Sequence, residues 1–403
     1  MANRSSSKSK TKSTTPKAAT IGVKRAMKIL SQEDAVAAWN ALREDGRPLK
    51  VRGLELAGFD LRGIDFSNCD LTGSIFSDAR LDGADFGGAN LQKTKLLRAH
   101  LDGARLSRAK FVGAEFDGAS FRGADLRHAT FRPRTLVHLA NGAPLGLTLR
   151  GLDFSGADLR GADLSGCLLE EVVMTDAKLE GLKVERARLS RVDLRGGDLK
   201  VASCAGADFI GCDLREASFE GALMEEARIM ECQIEAANFA ELKGRDSRFR
   251  DCNLETAVFR GADLKGVQFV DCVLEAVVFD QARLQQASLS RRANRASLRG
   301  ADLRSCLLSG VELRGADLSE SDARGADFSR ADVSGADLHG ADIRRASLLM
   351  ATLRDANFEG VQHGPRTRWP QHLDRADIEA LVAEAGTAEV GRSPEASGVG
   401  LTH

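Results

Sequence analysis

From Leu56 to Phe131 every fifth residue is Leu or Phe, sixteen times in succession. The series resumes in a new phase from Leu149 to Leu289, where 27 of 29 such positions are large and apolar; Cys204 and Gly244 are the exceptions. After the phrase SRRANRAS it shifts by one residue and runs from Leu298 to Phe358, with only Ala323 out of type among 13. Two residues before each centre the chain prefers Ala, Cys, Ser, Val or Thr. A period of five fits neither the 3.6 of a helix nor the 2 of a strand. It fits a coil with flat sides of five residues, each sending one large and one small side chain inward and three outward.

A longer period gives the number of sides. Phe219, Phe239, Phe259 and Phe279 recur at twenty, and so do Cys212, Cys232, Cys252 and Cys272. Residues twenty apart are expected to stack, giving four sides per turn. At about 4.8 Å per stacked strand, residues 149–360 make roughly ten coils and about 50 Å of rod, and residues 51–131 make about four more. Each coil buries its apolar pair against its neighbours, so stability is quasi-one-dimensional.

Gly-Ala-Asp-Leu recurs at 123–126, 156–159, 161–164, 261–264, 300–303, 315–318 and 335–338. The underlying A-[DN]-[LF]-x-x pattern resembles the pentapeptide-repeat proteins, over about 290 of 403 residues. The resemblance implies an all-β solenoid, specifically a right-handed quadrilateral β-helix; the handedness comes from the resemblance and not from the spacing.

The break at 132–148 divides the repeats. NGAPLGLTLRGLDFSGADLRGADLSGCLL follows it, and DGRPLKVRGLELAGFDLRGIDFSNCDL precedes the first block; Cys69 and Cys167 match in the two phrases. Each phrase follows a helical candidate. Ser31 can N-cap SQEDAVAAWNALRE, and Pro133 can open PRTLVHLA. The expectation is two modules, 31–132 and 133–360, each started by a helical cap over an exposed sheet edge. A loop inserted in one continuous rod is the competing reading. The WNALR phrase at 39–43 resembles the opening segment of other family members. After Phe358 the pattern stops, and residues 361–386 read as a C-terminal cap: Trp369 covers the last coil and Asp374 starts a short helix. Residues 387–403 read as a disordered tail.

Net charge is only -1, but it is unevenly spread. Residues 1–50 hold 11 Lys/Arg against 4 Asp/Glu, whereas 149–289 hold 18 against 26. Residues 1–30 read as a disordered basic tail; an organellar transit peptide is the alternative. Its Lys8, Lys10, Lys12, Lys17, Lys24, Arg25 and Lys28 are candidates for weak contact with nucleic acid or an anionic surface. No apolar run is long enough to span a bilayer, and no apolar h-region marks a secretory signal. The expected location is the cytoplasm, with the eight cysteines as thiols. Arg291, Arg292, Arg295 and Arg299 surround the phase shift, as a bend or a small anion patch.

Chemistry is not indicated. The seven histidines form no H-E-x-x-H and no Cys/His cluster, and no phosphate loop or dinucleotide fingerprint appears. The chain is expected to be no enzyme and to carry no cofactor or metal. The four cysteines at twenty-residue spacing occupy the small inward site, where a buried Cys acts as a small hydrophobe. A straight column with steps of about 4.8 Å does not converge tetrahedrally on a metal.

The carboxylates beside them point outward. Glu231, Asp251 and Asp271 form one expected column, and Glu235, Glu255 and Glu275 another. Like charges stacked across strands destabilise a sheet. Glu216, Glu220, Glu225 and Glu226 add to the acidic field, and the whole stretch 213–275 is the candidate protein-interaction face. The expected role is a protein-binding scaffold, as monomer or homodimer. Some pentapeptide-repeat proteins protect DNA gyrase from quinolones as DNA mimics, and the resemblance makes a type II topoisomerase a candidate partner. An architectural element of a secretion or envelope assembly is a further alternative.

Overall fold

The computed structural model describes residues 19–131, 147–289 and 291–383. The twenty-residue period appears in it as parallel pairing of each coil with the next: Glu55 bridges Ile75, Ile75 bridges Lys95, and Lys95 bridges Glu115. Each side of each coil gives and takes a hydrogen bond. Val173 N donates to Leu152 O at 2.9 Å, and Phe154 N donates to Val173 O at 2.8 Å. The result is a right-handed quadrilateral β-helix with an apolar interior and helices at its ends.

In chain order the regular elements are β1 (Ala19–Thr20), α1 (Val23–Leu30), α2 (Ala35–Leu42), β2 (Leu49–Lys50) and β3 (Cys69–Asp70). Then come β4 (Thr148–Arg150), β5 (Leu168–Glu170), β6 (Arg188–Ser190), β7 (Asp208–Ile210), β8 (Arg228–Met230), β9 (Arg248–Arg250), β10 (Gln268–Val270) and α3 (Arg375–Val382). Strands β4 to β10 form one seven-stranded parallel sheet in chain order, here called the strand side. Following the chain round each coil, the next side carries Cys212, Cys232, Cys252 and Cys272 (the cysteine side). Then come the side of Phe219, Phe239, Phe259 and Phe279, and the side of Arg304, Arg324 and Arg344 (the arginine side).

Inward residues are sealed. Leu254, Phe259 and Leu264 are fully buried, as are most of their equivalents. Burying each such side chain contributes about 1.5–3 kcal/mol. Phenylalanines stack along the rod: Phe239 and Phe259 have ring centroids 4.7 Å apart and planes 6° apart. The corners require left-handed backbone, which explains the many glycines. Gly261 has φ +67°, and a Cβ there would clash with Glu241 Oε1. Where the corner is not glycine it is strained: Glu231, Asp251 and Asp271 have φ of 57°, 52° and 51°.

The outward Asp of the repeat has a defined job. In Asp158-Leu159-Arg160 the carboxylate accepts from the Arg160 N–H at 3.2 Å and from its Nε at 2.9 Å. The same clamp joins Asp193 to Arg195, Asp302 to Arg304 and Asp342 to Arg344. Arg324 also reaches Asp342 on the next coil, at 3.5 Å. Where they occur, the clamps thus neutralise charge locally.

The expectation of two separately capped modules is corrected. Ser120 bridges Asp153, Asp125 bridges Asp158 and Thr130 bridges Asp163, a step of 33 residues in place of 20. The coil after the break therefore seats directly on the coil before it, because both present the same apolar columns and the same free backbone groups. The helix expected at PRTLVHLA lies outside the described residues. The one-residue phase shift also leaves the ladder whole: Val273 bridges Arg292 and Val278 bridges Ser297, a step of 19.

The tail expectation for residues 1–30 is corrected for residues 19–30. Strand β1 pairs with β2, and β2 with β3, while α1 buries Ala26 and Leu30. Ser31 does not start α2; it closes α1, its hydroxyl donating to Met27 O at 2.7 Å. Asp34 precedes α2. The WNALR phrase covers the open edge of the first coil. Trp39 Nε1 donates to Asp65 O at 2.8 Å, Asn40 Nδ2 to Gly63 O at 3.1 Å, and Arg43 Nη2 to Ser67 O at 2.7 Å. At the far end Arg368 bridges Ser347, and Trp369 lies 5.6 Å from Phe358, ring centre to ring centre. A capping box of Asp374 and Asp377 opens α3.

Candidate interaction surface

The ten acidic residues expected to make one face are separated by the coil. Because one turn takes twenty residues, the run from 213 to 235 wraps around the rod. Glu220 lies on the phenylalanine side, 3.5 Å from Lys200. Glu225 and Glu226 lie on the arginine side and its corner, and Glu216 at the far corner of the cysteine side. The single acidic face over 213–275 is therefore corrected to a smaller surface.

What remains together are the two columns. Glu231, Asp251 and Asp271 occupy successive corners at one edge of the cysteine side. Glu235, Glu255 and Glu275 follow the inward Ile234, Leu254 and Leu274 on the same side. The neighbouring outward column supplies the bridges Gln233 to Asn253 and Asn253 to Val273. Part of the stacked charge is relieved by neutral donors. Asn253 Nδ2 donates to Glu235 Oε1 at 2.7 Å, and Asn294 Nδ2 to Glu275 Oε1 at 3.1 Å. Glu235 Oε2 is buried without a partner. Arg250 Nε lies 3.2 Å from Asp251. Among the described residues, Glu231, Glu255 and Asp271 have no side-chain partner. The flanking coils differ: Arg215 is clamped by Asp213, with Nε to Oδ1 at 2.9 Å.

The same side changes sign one coil later. Arg291, Arg292 and Arg295 are exposed and make no ion pair among the described residues. The fourth arginine of that segment, Arg299, lies on the phenylalanine side and holds Glu320 at 3.1 Å.

The cysteines are interior. Cys212, Cys232, Cys252 and Cys272 are at most 4% exposed, and the sulfurs of Cys232 and Cys252 lie 3.2 Å from the carbonyls of Met230 and Arg250. Cys232 and Cys272 are held in the thiol form, first by hydrogen bonding to the neighbouring sulfur and then by burial. Burial pushes Cys69, Cys204 and Cys306 up to about 12. Among the described residues no group of His, Cys, Asp and Glu is arranged to hold a metal, and no helix is long and apolar enough to cross a membrane.

The basic residues divide. Lys24, Arg25 and Lys28 stand on the exposed face of α1. Lys8, Lys10, Lys12 and Lys17 lie outside the described residues. Sequence reasoning missed a shallow groove of about 1100 Å³ on the arginine side, lined by Arg245, Lys265, Arg283, Arg304, Arg324 and Arg344 with Asp263 and Asp302 among them. Its signal was the run of Asp-x-Arg at 302–304, 322–324 and 342–344, and the bases lining the groove outnumber the acids.

The family model for pentapeptide repeats (8 copies) matches residues 55–88, 84–123, 99–132, 153–191, 296–335 and 324–360. The pentapeptide repeat region model matches 202–279. The chain belongs to the pentapeptide-repeat family. A search of curated proteins gives no match to this pentapeptide-repeat protein. Among solved structures it is similar to a trypsin-treated form of QnrB1, a plasmid-mediated fluoroquinolone resistance protein, at 21% identity over 47% of this chain and 96% of that one, with a TM-score of 0.36. HetL, involved in heterocyst differentiation regulation in the cyanobacterium Nostoc sp. strain PCC 7120, is 23% identical over 68% of this chain and 88% of its own, with a TM-score of 0.21. The Nostoc pentapeptide repeat protein alr5209 is 34% identical over 27% of this chain and 84% of its own, with a TM-score of 0.17. None of these likenesses bears on partner or activity.

Proposed function

We propose that this protein works without catalysis, as a stiff rod that docks a protein on its cysteine side through Glu231, Asp251 and Asp271 at one edge and Glu235, Glu255 and Glu275 beside them. One observation carries the reading. Many acids of the solenoid are clamped by arginines, and others, such as Asp317 and Asp337, by serine or asparagine; here three successive coils carry two columns of carboxylates, and three of the six have no side-chain partner among the described residues. Stacked like charges cost stability, and the fold does not need them. A basic surface on a partner would relieve that cost and gain charge-assisted hydrogen bonds. Eight buried thiols without disulfides suit a reducing, cytoplasmic setting.

The test is photocrosslinking in extract from the source cells, with the probe placed at Asn253 between the columns. Wild-type protein should give a discrete crosslinked protein, and a variant with all six acids changed to Gln should lose it. An identical crosslink pattern for the two would sink the reading.

A second reading, mimicry of DNA toward a type II topoisomerase, is favoured locally by charge density. Two carboxylates per coil of about 4.8 Å give roughly one per 2.4 Å, against one per about 1.7 Å in duplex DNA. The paired columns span only three coils. A gyrase supercoiling assay with a quinolone separates the readings: absence of protection by the wild-type chain excludes this one and leaves the docking rod intact.

A further inference from the structure

We propose that the cysteine side docks a second copy of this chain, antiparallel, about a two-fold axis lying between the coil of Asp271–Glu275 and the coil of Arg291–Arg295. The proposal rests on the docking reading above and names the basic partner surface as the chain's own.

The argument is one of register. On this side the outward residues run in columns along the rod. The central column is Gln233, Asn253, Val273, Arg292, Glu312, Asp332 and Thr352, each bridged to the next. The corner column holds Glu231, Asp251 and Asp271 and, past the phase shift, Gly310 and Arg330; in the coil between, the exposed Arg291 stands next to it, immediately before Arg292. The column on the other flank holds Glu235, Glu255 and Glu275, then Asn294, Arg314 and Ser334. The side is acidic before residue 276 and basic or mixed after 290.

Two flat sides can meet about a two-fold axis along the rod or across it. An axis along the rod places each coil against the same coil of the other copy, so acids meet acids. An axis across the rod reverses one copy while keeping each column over itself. Placed between the 271 and 291 coils, it sets Asp271 against Arg291, Glu255 against Arg314 and Glu231 against Arg330. Symmetry makes each contact twice. Moving the axis one half-coil either way puts Arg291 on Arg291 or Asp271 on Asp271. In the central column Val273 meets Arg292, Asn253 meets Glu312 and Gln233 meets Asp332, so no like charges oppose there. One like pair, Arg215 with Arg354, falls at the outer rim, where Asp213 clamps Arg215.

The groups involved are available. Glu231, Glu255, Asp271, Arg291 and Arg330 have no side-chain partner among the described residues, while Arg314 spends one donor on Asp332 at 2.6 Å. The ladder continues four coils beyond Val273. The overlap is therefore about 40 Å long and roughly 10 Å wide, about 400 Å² per copy by strand spacing. That is at the small end for specific association, so the dimer should be weak and salt-sensitive.

The experiment is sedimentation velocity on the full chain from about 5 to about 500 µM. At low salt the wild type should shift from monomer to twice the chain mass, and about 0.5 M salt should abolish the shift. An acid-reversed variant (Glu231→Arg with Asp271→Arg) and a base-reversed variant (Arg291→Glu with Arg330→Glu) should each stay monomeric. Mixed one to one they should form a heterodimer, because each of these pairs is again of opposite charge. Circular dichroism confirms that both variants fold. Wild type that stays monomeric at low salt, or reversed variants that fail to associate when mixed, would overturn the proposal. Such failure leaves the docking reading to its own crosslinking test, which needs no self-association.

Discussion

Phe121 stacks on Phe154 with ring centroids 5.1 Å apart and planes within 21°, as closely as rings one ordinary coil apart elsewhere in the rod. The residues between them include the stretch that breaks the five-residue period. The stack places the break at a corner, after the inward Phe131 and before Leu149, where a longer connection can leave and return without disturbing either coil.

Removing 132–144 should therefore leave a foldable rod. Leu145, Gly146, Leu147 and Thr148 would then connect Phe131 to Leu149 in one five-residue step, with glycine at the corner and Leu147 at the small inward position. Loops of this kind cost little to shorten. The deletion variant should keep a single cooperative thermal transition within a few degrees of wild type. Two separate transitions would restore the picture of independent modules. By the same logic the fragment 133–403 should aggregate, since it exposes the apolar end of the coil that Phe121 and Phe131 cover.

The N-terminal cap makes a second prediction. Trp39 is fully buried, edge-on to Phe66 with centroids 5.2 Å apart. Trp39→Ala should cost about 3–5 kcal/mol, read from urea midpoints. Asn40→Ala loses two backbone contacts, one donated to Gly63 O and one accepted from Asp65 N at 2.8 Å, and should cost about 1–3 kcal/mol. A change below about 0.5 kcal/mol in both would mean that the cap frays without consequence.

Much of this was legible beforehand, and the failures have physical causes. Period five and period twenty come from the pairing geometry itself, so they reported the sides, the stacking and the inward cysteines directly. The place of WNALR at the opening of the rod was also legible, through its resemblance to the opening segment of other family members. Residues 19–30 were not: Lys24, Arg25 and Lys28 give the segment a tail-like charge, while its order comes from β1 pairing with β2 and from two buried residues, Ala26 and Leu30. The acidic face was overdrawn for a different reason. Charges near in sequence, such as Glu216 and Glu231, are distributed around a turn, whereas charges twenty apart are neighbours. The arginines after Asp271 read in the sequence as a bend or a small anion patch, because their relation to the acid columns appears only once the ladder is seen to continue through the phase shift.

One exception to the period leads to a third prediction. At Gly244 the large inward residue is missing, and Leu242 fills the space from the small site. A Cβ on Gly244 would lie 3.0 Å from Leu242 Cδ2 and 3.1 Å from Leu264 Cδ2. The coil has exchanged the two sizes. Gly244→Leu alone should overpack the core and destabilise by about 1–3 kcal/mol. Adding Leu242→Ala restores the usual order of small then large and should recover most of the loss, a coupling of about 1 kcal/mol or more in a double-mutant cycle. Strict additivity of the two changes would show that the sites do not share one space.

The Asp-x-Arg clamps set how the rod responds to acid. In Asp158, Asp193 and Asp342 the carboxyl is held below its ordinary value, chiefly by the hydrogen bond from Arg160, Arg195 and Arg344 respectively. Unfolding returns each to about 3.9, so below roughly pH 5 the unfolded chain binds more protons than the folded one. The clamps' contribution is thus complete above about pH 5 and is lost as pH falls through the depressed folded values. Each clamp is partly solvated and individually small, but the clamps recur along the rod. The thermal midpoint should be flat from pH 7 to 5 and fall steeply below pH 4, with 0.5 M salt blunting the fall. Asp193→Asn should lower the midpoint at pH 7, and the difference from wild type should shrink as pH falls through the depressed folded value and the wild-type Asp193 carboxylate is itself protonated. A midpoint that declines between pH 7 and 6 would point to histidines instead, and one unchanged at pH 3 would show that the clamps hold geometry without contributing free energy.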